Sequence, residues 1–470
     1  MVTAWRWGSA VGAWLMSMCA LTVYGAEPPK YIVHEWGTFT ALQNDAGREL
    51  PGINIDDEPV PGFVHNLAPL ILNQPFLTQD HWIYRQKGAP RQHPKVTLRL
   101  ETPVLYFYPA SDGKLPKSVD VQVLFRGGWL TEFYPFAKAE LPGMEDEGFN
   151  FGSLTPSTLG KLHWKNVQLD TKQAGPETEE HVWVAPRKVK AVDVSVAGAK
   201  KEGKETVESE RYLFYRGVAN QQAPLRVATD RATQELAIRA NFSDVLCKTD
   251  ATVPAAWLAD IRADGQVAFR TLDPLKVNSD PEKVVGTVSY KFSAGDFATK
   301  NMALLKEAMH QALVKDGLYD DEATAMLATW ERAYFQSPGL RLFFVVPRCW
   351  TDYYLPIQIT GEPEVTRVMM GRVELITQTQ RETLKQLAAG PISNPKWVEQ
   401  IPYSANKDAF LSGRTNFGDL GVKIPADYEA YLSLGRFRNA LVIAQHREQA
   451  SPSLAKFIDA YRLQPYKWAE

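Results

Sequence analysis

Cysteine is scarce in this sequence. Three occur, at Cys19, Cys247 and Cys349, and no CxxC is present. Two cysteines outside the first 26 residues do not make a zinc site. Histidine is also sparse, at eight residues. His65, His81 and His93 make the one region where it repeats, and their spacings match no compact ligand motif. They read as loop histidines, and no metal is expected. Charge of one sign is missing too. Lys and Arg number 52 against 54 Asp and Glu, a formal net charge of −2. Such a balance gives no basic field for nucleic acid or for an anionic membrane surface. There is no GxSxG elbow, no Walker loop and no GxGxxG after a strand, and the sequence leaves the cofactor unknown.

The N-terminus carries an apolar run. Arg6 is the sole charged side chain before Glu27, and residues 8–26 read GSAVGAWLMSMCALTVYGA. A short charged region, an apolar stretch and small residues at Gly25 and Ala26 describe a signal peptide over 1–26. Glycine and serine interrupt it, so it is poor as a spanning helix. Met18 is too large for the small residue that a lipoprotein site wants before Cys19. The expectation is an exported chain, periplasmic or extracellular, with no transmembrane segment in the mature part. Cys247 and Cys349 then either pair or stay as two buried thiols.

What is present is apolar and aromatic. Hydrophobic residues make up 45% and aromatics 11% of the chain, enough for a sizeable core. A period of two dominates 31–40, 96–108, 119–126, 129–136, 181–195, 211–219, 235–242, 266–272 and 284–292, which predicts strands. Residues 45–95 form a long irregular excursion, and 197–210 a charged hairpin tip. Past Phe292 the period becomes helical, at 301–315 and 321–336, where Met326, Trp330 and Tyr334 form a stripe. Strands are expected at 340–347 and 367–377, a loop at 347–356, and helices at 378–389, 426–446 and 452–463. The fold class is α+β, with a sandwich-like β-rich part at 27–295 and a helical C-terminal region at 296–470 packed on it.

The stretch YIVHEWGTFT (31–40) sets His34 beside Glu35. The zinc-peptidase pattern HExxH needs a second histidine where Thr38 stands, which excludes it. On a strand, His34 and Trp36 face one way while Glu35 joins Val33 and Phe39 on the other. A glutamate on an apolar face needs a partner or a shifted pKa. In VTLRLETPVLYFYP (96–109), Pro103 interrupts the ladder beside Glu101, and Arg99 is placed to pair with Glu101 at the surface. Gly127-Gly128 suggests a two-residue hairpin that pairs Arg126 with Trp129 and sets Glu132 among Val121, Val123 and Phe125. Arg216 falls among Tyr212, Phe214 and Val218.

Together HEWGTFT, RLETPVLYFY, FRGGWLTEFYP, RYLFYRG, GLYDDEATAMLATWERAYF, RLFFVVPRCWTDYYLP and RVMMGRVELIT resemble a family of exported bacterial proteins. The resemblance spans about 31–377. It implies compartment and a shared architecture, and it assigns no reaction and no catalytic residue.

Two readings follow. In one, a hydrolase-like enzyme works on an envelope polymer such as a glycan. Glu35, Glu101 and Glu132 do acid–base work with His34 as alternative base, Arg126 and Arg216 orient anions, and Trp36 and Trp129 stack on sugar. In the other, a non-catalytic envelope binding or scaffold protein uses the same glutamates and arginines as a buried ion-pair network. The sequence gives no oligomeric state.

Overall fold

The computed structural model describes residues 31–55, 58, 60–66, 85–86, 89–90, 92–140, 154–198, 206–241, 247, 251–277, 280–400 and 422–464. The expected signal peptide and His81 lie outside them. The chain is α+β, and its frame is a fifteen-stranded sheet. The first described strand, β1 (Tyr31–Gln43), lies well inside this sheet, and every residue of it except Ile32 is buried. Its β-branched and aromatic side chains suit a pleated surface packed on both faces.

The other long strands are β2 (Leu98–Pro109), β3 (Ser118–Arg126), β4 (Gly128–Tyr134), β5 (Leu159–Leu169), β6 (Leu213–Ala219), β7 (Ala256–Ile261), β8 (Gly339–Val346) and β9 (Glu364–Leu375). Across the sheet the order is Val207–Glu210, Val194–Ala197, β5, β4, β6, β2, β1, β9, β8, β7, Val267–Leu272. β1 runs antiparallel to β2 and parallel to β9. The sheet therefore draws strands from both the 27–295 and the 296–470 segments.

The helices are α1 (Lys300–Lys315), α2 (Asp320–Thr329), α3 (Arg348–Tyr354), α4 (Gln378–Ala389), α5 (Ala426–Ser433), α6 (Arg438–Glu448) and α7 (Pro452–Ala460), with a π turn at Glu331–Gln336 after α2. Three acids in its first turn favour α2, and a Thr377–Gln380 capping box starts α4. The helices cover both faces of the sheet. Trp36, Val104 and Tyr106 share a core with Leu305, Met309 and Met326. Val33 and Phe39 share the other with Leu384, Leu387 and Phe457. Cys247 and Cys349 form a disulfide, their Cα atoms 5.4 Å apart.

Several expectations are corrected. Residues 181–195 are not a strand: a short helix, His181–Val184, and a 3₁₀ turn, Pro186–Lys188, precede extended backbone at Val194–Ala197. Pro186 supplies no donor for a ladder and suits the start of that turn. Gly127-Gly128 is not a hairpin turn either. β3 pairs with β5, β4 pairs with β6, and Arg126 lies opposite Leu159 rather than Trp129. The 347–356 loop is largely helix α3. The expected 426–446 helix is two, broken where Gly435 takes a left-handed φ of 81°. β5, β7 and Leu225–Asp230 were not anticipated.

Candidate functional site

Strand alternation divides the opening motif as expected. Glu35 points into the core of Val33 and Phe39, with no exposed surface. The Tyr215 hydroxyl donates to Glu35 Oε1, and Arg367 Nε donates to Oε2 at 2.6 Å. Arg367 stands opposite Glu35 in the β1–β9 register. It also donates to Asp352 Oδ1 at 2.9 Å and to the Leu355 carbonyl at 2.7 Å. Burial alone would lower the Arg367 pKa, yet Glu35 and Tyr215 hold it above the usual guanidinium value. The partner of Glu35 is thus Arg367.

Glu101 sits on the other face. Gly37 lets β1 pass close to Pro103, since a Cβ there would lie 2.9 Å from the Pro103 Cα, and the β1–β2 register shifts at this point. Thr102 takes a left-handed φ of 46°. Arg99 does pair with Glu101, at 2.6 Å, but the pair is buried rather than on the surface. Arg436 reaches Oε1 at 3.3 Å, Thr40 donates to Oε2 at 3.3 Å, and the Tyr334 hydroxyl donates to the same oxygen. Arg372 lies 3.8 Å from Glu101 and 3.5 Å above the Tyr334 ring. Arg372 and Arg436 both donate to the Ala333 carbonyl, and Arg341 to that of Tyr334. Guanidinium groups thereby satisfy carbonyls that a helix end leaves open. Burial, with Arg372 and Arg436 nearby, pushes Arg341 down to about 10 even against Glu374.

Glu132 and Arg216 face each other in the β4–β6 register and form a buried ion pair. A register shift beside Arg216 turns Glu132 away from the face that the hairpin would have given it. Asn66 donates to its Oε1 at 3.0 Å, and Arg216 Nη1 donates to the Glu58 carbonyl at 2.9 Å. Trp36 has no exposed surface and Trp129 only 2%, so neither offers a ring face to a sugar from solvent. Arg126 is exposed, donates to the Tyr353 carbonyl at 2.9 Å, and lies 5.1 Å over the Tyr353 ring.

His34 belongs to a fourth cluster. Its Nδ1 lies 2.7 Å from Glu322 Oε2 at the start of α2. Tyr108 donates its hydroxyl to Oε1 at 2.8 Å, and the Tyr319 backbone N–H donates to Oε2 at 2.8 Å. The Tyr108 and Tyr319 rings lie 5.2 and 4.5 Å from the imidazole. The eight expected site residues thus fall in separate places, and only Glu132 and Arg216 meet.

Sequence reasoning missed Arg367 and Glu322, though both carried a signal. Arg367 alternates with Met369 and Val373 on one strand face. Glu322 lies one step before Met326 and Trp330 on their stripe.

Two surface hollows, of about 590 and 530 Å³, are lined by segments such as Arg270–Leu275 and by Lys117, Asn166 and Val196, and include none of these residues. Among the described residues no three His, Cys, Asp or Glu side chains could hold a metal ion, and no helix is long and apolar enough to cross a membrane. The fold and the buried pairs define an α+β protein braced by ion pairs on both faces of a mixed sheet. No protein-family model matches the chain, and no curated protein matches it.

Proposed function

We propose that this chain is an exported envelope binding or scaffold protein, in which Glu35, Glu101 and Glu132 are structural. One observation carries the reading: each of the three is at most 4% exposed and is closed by arginine under packed side chains. A general acid or base must reach its substrate within hydrogen-bond distance. These carboxylates instead spend their lone pairs on guanidinium groups, hydroxyls and an amide. Carboxylate hydrolysis of a glycan further needs two carboxyl groups flanking the bond, and the three lie in separate networks. The Cys247–Cys349 disulfide supports an oxidising, exported location.

The test is stability. Glu35→Gln and Glu132→Gln should each lower the unfolding free energy by about 3 kcal/mol, because a buried guanidinium loses its buried counter-charge, Arg367 keeping only the exposed Asp352. Denaturant titration measures it. Unchanged midpoints in both variants would remove the structural reading.

A further inference from the structure

Glu58 and Glu208 each face a histidine, and among the described residues no lysine or arginine side chain pairs with either carboxylate. Glu58, 2% exposed, lies 3.8 Å from His181 Nε2. Glu208 Oε2 lies 2.8 Å from His65 Nε2 and accepts the Phe136 N–H at 2.8 Å. The two pairs are crossed. Glu58 and His65 belong to one stretch of chain, Glu58 with residues 60–66. His181 and Glu208 belong to the body, on the short helix His181–Val184 and on the edge strand Val207–Glu210.

That stretch lies across the sheet as a strap. Its Glu58 carbonyl accepts from Arg216 Nη1, and Glu58 Oε1 accepts the Ala333 N–H at 3.2 Å. Phe63 meets the Tyr134 and Trp183 rings at 4.9 and 5.4 Å, and Val64 is buried in the same core. His65 and Asn66 pair with β4, and Asn66 donates to Glu132. The strap therefore helps to cover Tyr134, Trp183 and the Glu132–Arg216 pair.

His181 supplies a second sign. Both its ring nitrogens are buried, and neither makes a hydrogen bond among the described residues. A neutral ring there leaves a donor and an acceptor unmet, whereas a protonated ring has the Glu58 carboxylate to face. At the other joint, a charged imidazole strengthens a hydrogen bond that a neutral one makes only weakly. The His65 and His181 side chains keep 25% and 20% exposure, so solvent stands at the edge of both rings.

We propose that Glu58 and residues 60–66 form a pH-sensitive strap, closed on the sheet in acid and loosened as His65 and His181 lose their charge. This goes beyond the scaffold reading and does not depend on it. The sign follows from the pairing: the carboxylates meet the two imidazolium charges only while the strap is down, so protons favour the closed form. Other groups near the joints do not reverse it. Beside His65 the Tyr134 phenol is held above its usual pKa by burial and by Glu208, and it stays neutral. Glu132, next along β4, is already answered by Arg216. Beside His181, Arg216 binds the carbonyl of Glu58 and leaves its carboxylate to the histidine. From α2, Asp321 accepts the Lys190 N–H and Glu322 faces His34.

Amide hydrogen exchange on the full chain tests this, read by mass spectrometry on peptides covering 60–66 and corrected for the intrinsic rate at each pH. Protection of these amides should fall roughly tenfold between about pH 5 and pH 8, as two charge-assisted contacts become neutral ones. In the His65→Gln, His181→Gln double variant the profile should be flat, at the level the native protein reaches at the upper pH. Glutamine stands in for a neutral imidazole, so the double variant should also melt like the native protein at that pH. Glu208→Gln alone, at the more open joint, gives a second variant and should remove part of the dependence. His310→Gln, on α1, should keep all of it. Protection that is independent of pH or rises with it in the native protein would overturn the proposal. So would a folded double variant, or Glu208→Gln, with the full native dependence.

Discussion

At Glu101 one carboxylate answers three guanidinium groups, Arg99, Arg372 and Arg436, at distances from 2.6 to 3.8 Å. Glu35 answers Arg367, and Glu132 answers Arg216. Removing a counter-charge leaves cations buried without water, and the cost grows with the number abandoned. Glu101→Gln should therefore cost more than Glu35→Gln, about 5 against about 3 kcal/mol, at the upper and lower ends of the range for a broken buried pair. Equal shifts in urea midpoint at unchanged slope would contradict this ordering. The inward placement of Glu35 was legible in the sequence, because alternation alone decides which face a side chain takes. Its partner was not. Arg367 lies 332 residues away, and which arginine arrives depends on a parallel pairing that no local pattern encodes.

Among the elements, the β4–β6 pair is the most sensitive to a single methyl group. A Cβ on Gly217 would stand 2.1 Å from the Trp129 carbonyl oxygen, a backbone atom that cannot turn aside. Gly217→Ala should thus cost about 3 kcal/mol by overpacking and should shift the neighbouring Arg216–Glu132 pair. Thermal melts together with amide exchange on β6 would check it, and a wild-type melting temperature would sink it. Most strands with clear alternation were legible, β1, β2 and β6 among them. So were α4 and α7, where a capping box and a Ser-Pro start mark the boundaries. Pairing was less so. The Gly-Gly dipeptide looks the same whether its flanking strands pair with each other or diverge, and here β3 leaves for β5. β5 itself, LGKLHWKNVQL, mixes Lys, His and Asn into its pattern because part of it is exposed.

For the molecule as a whole, packing on both faces of the sheet leaves many phenols dry. Tyr106, Tyr108, Tyr212, Tyr215 and Tyr334 are all held above the ordinary phenol pKa, first by burial and then by a neighbouring carboxylate. The folded chain keeps these protons where the unfolded chain releases them. Their contribution to stability is therefore complete below about pH 10 and is lost as the pH rises beyond it. Phenolate absorbance from these tyrosines should appear together with unfolding, in one cooperative step. A protein that ionised all its tyrosines near pH 10 and stayed folded would refute this. The register of β1 has a further consequence, for the order of events during synthesis. β1 is flanked by β2 on one side and on the other by β9, which ends at Leu375. The middle of the sheet then cannot close until most of the chain has been made. Contacts of such long range form late and slowly. Until β9 arrives, Glu35 has no cation and β1 has a bare edge, so the nascent chain passes through a long interval in which a chaperone could hold it open.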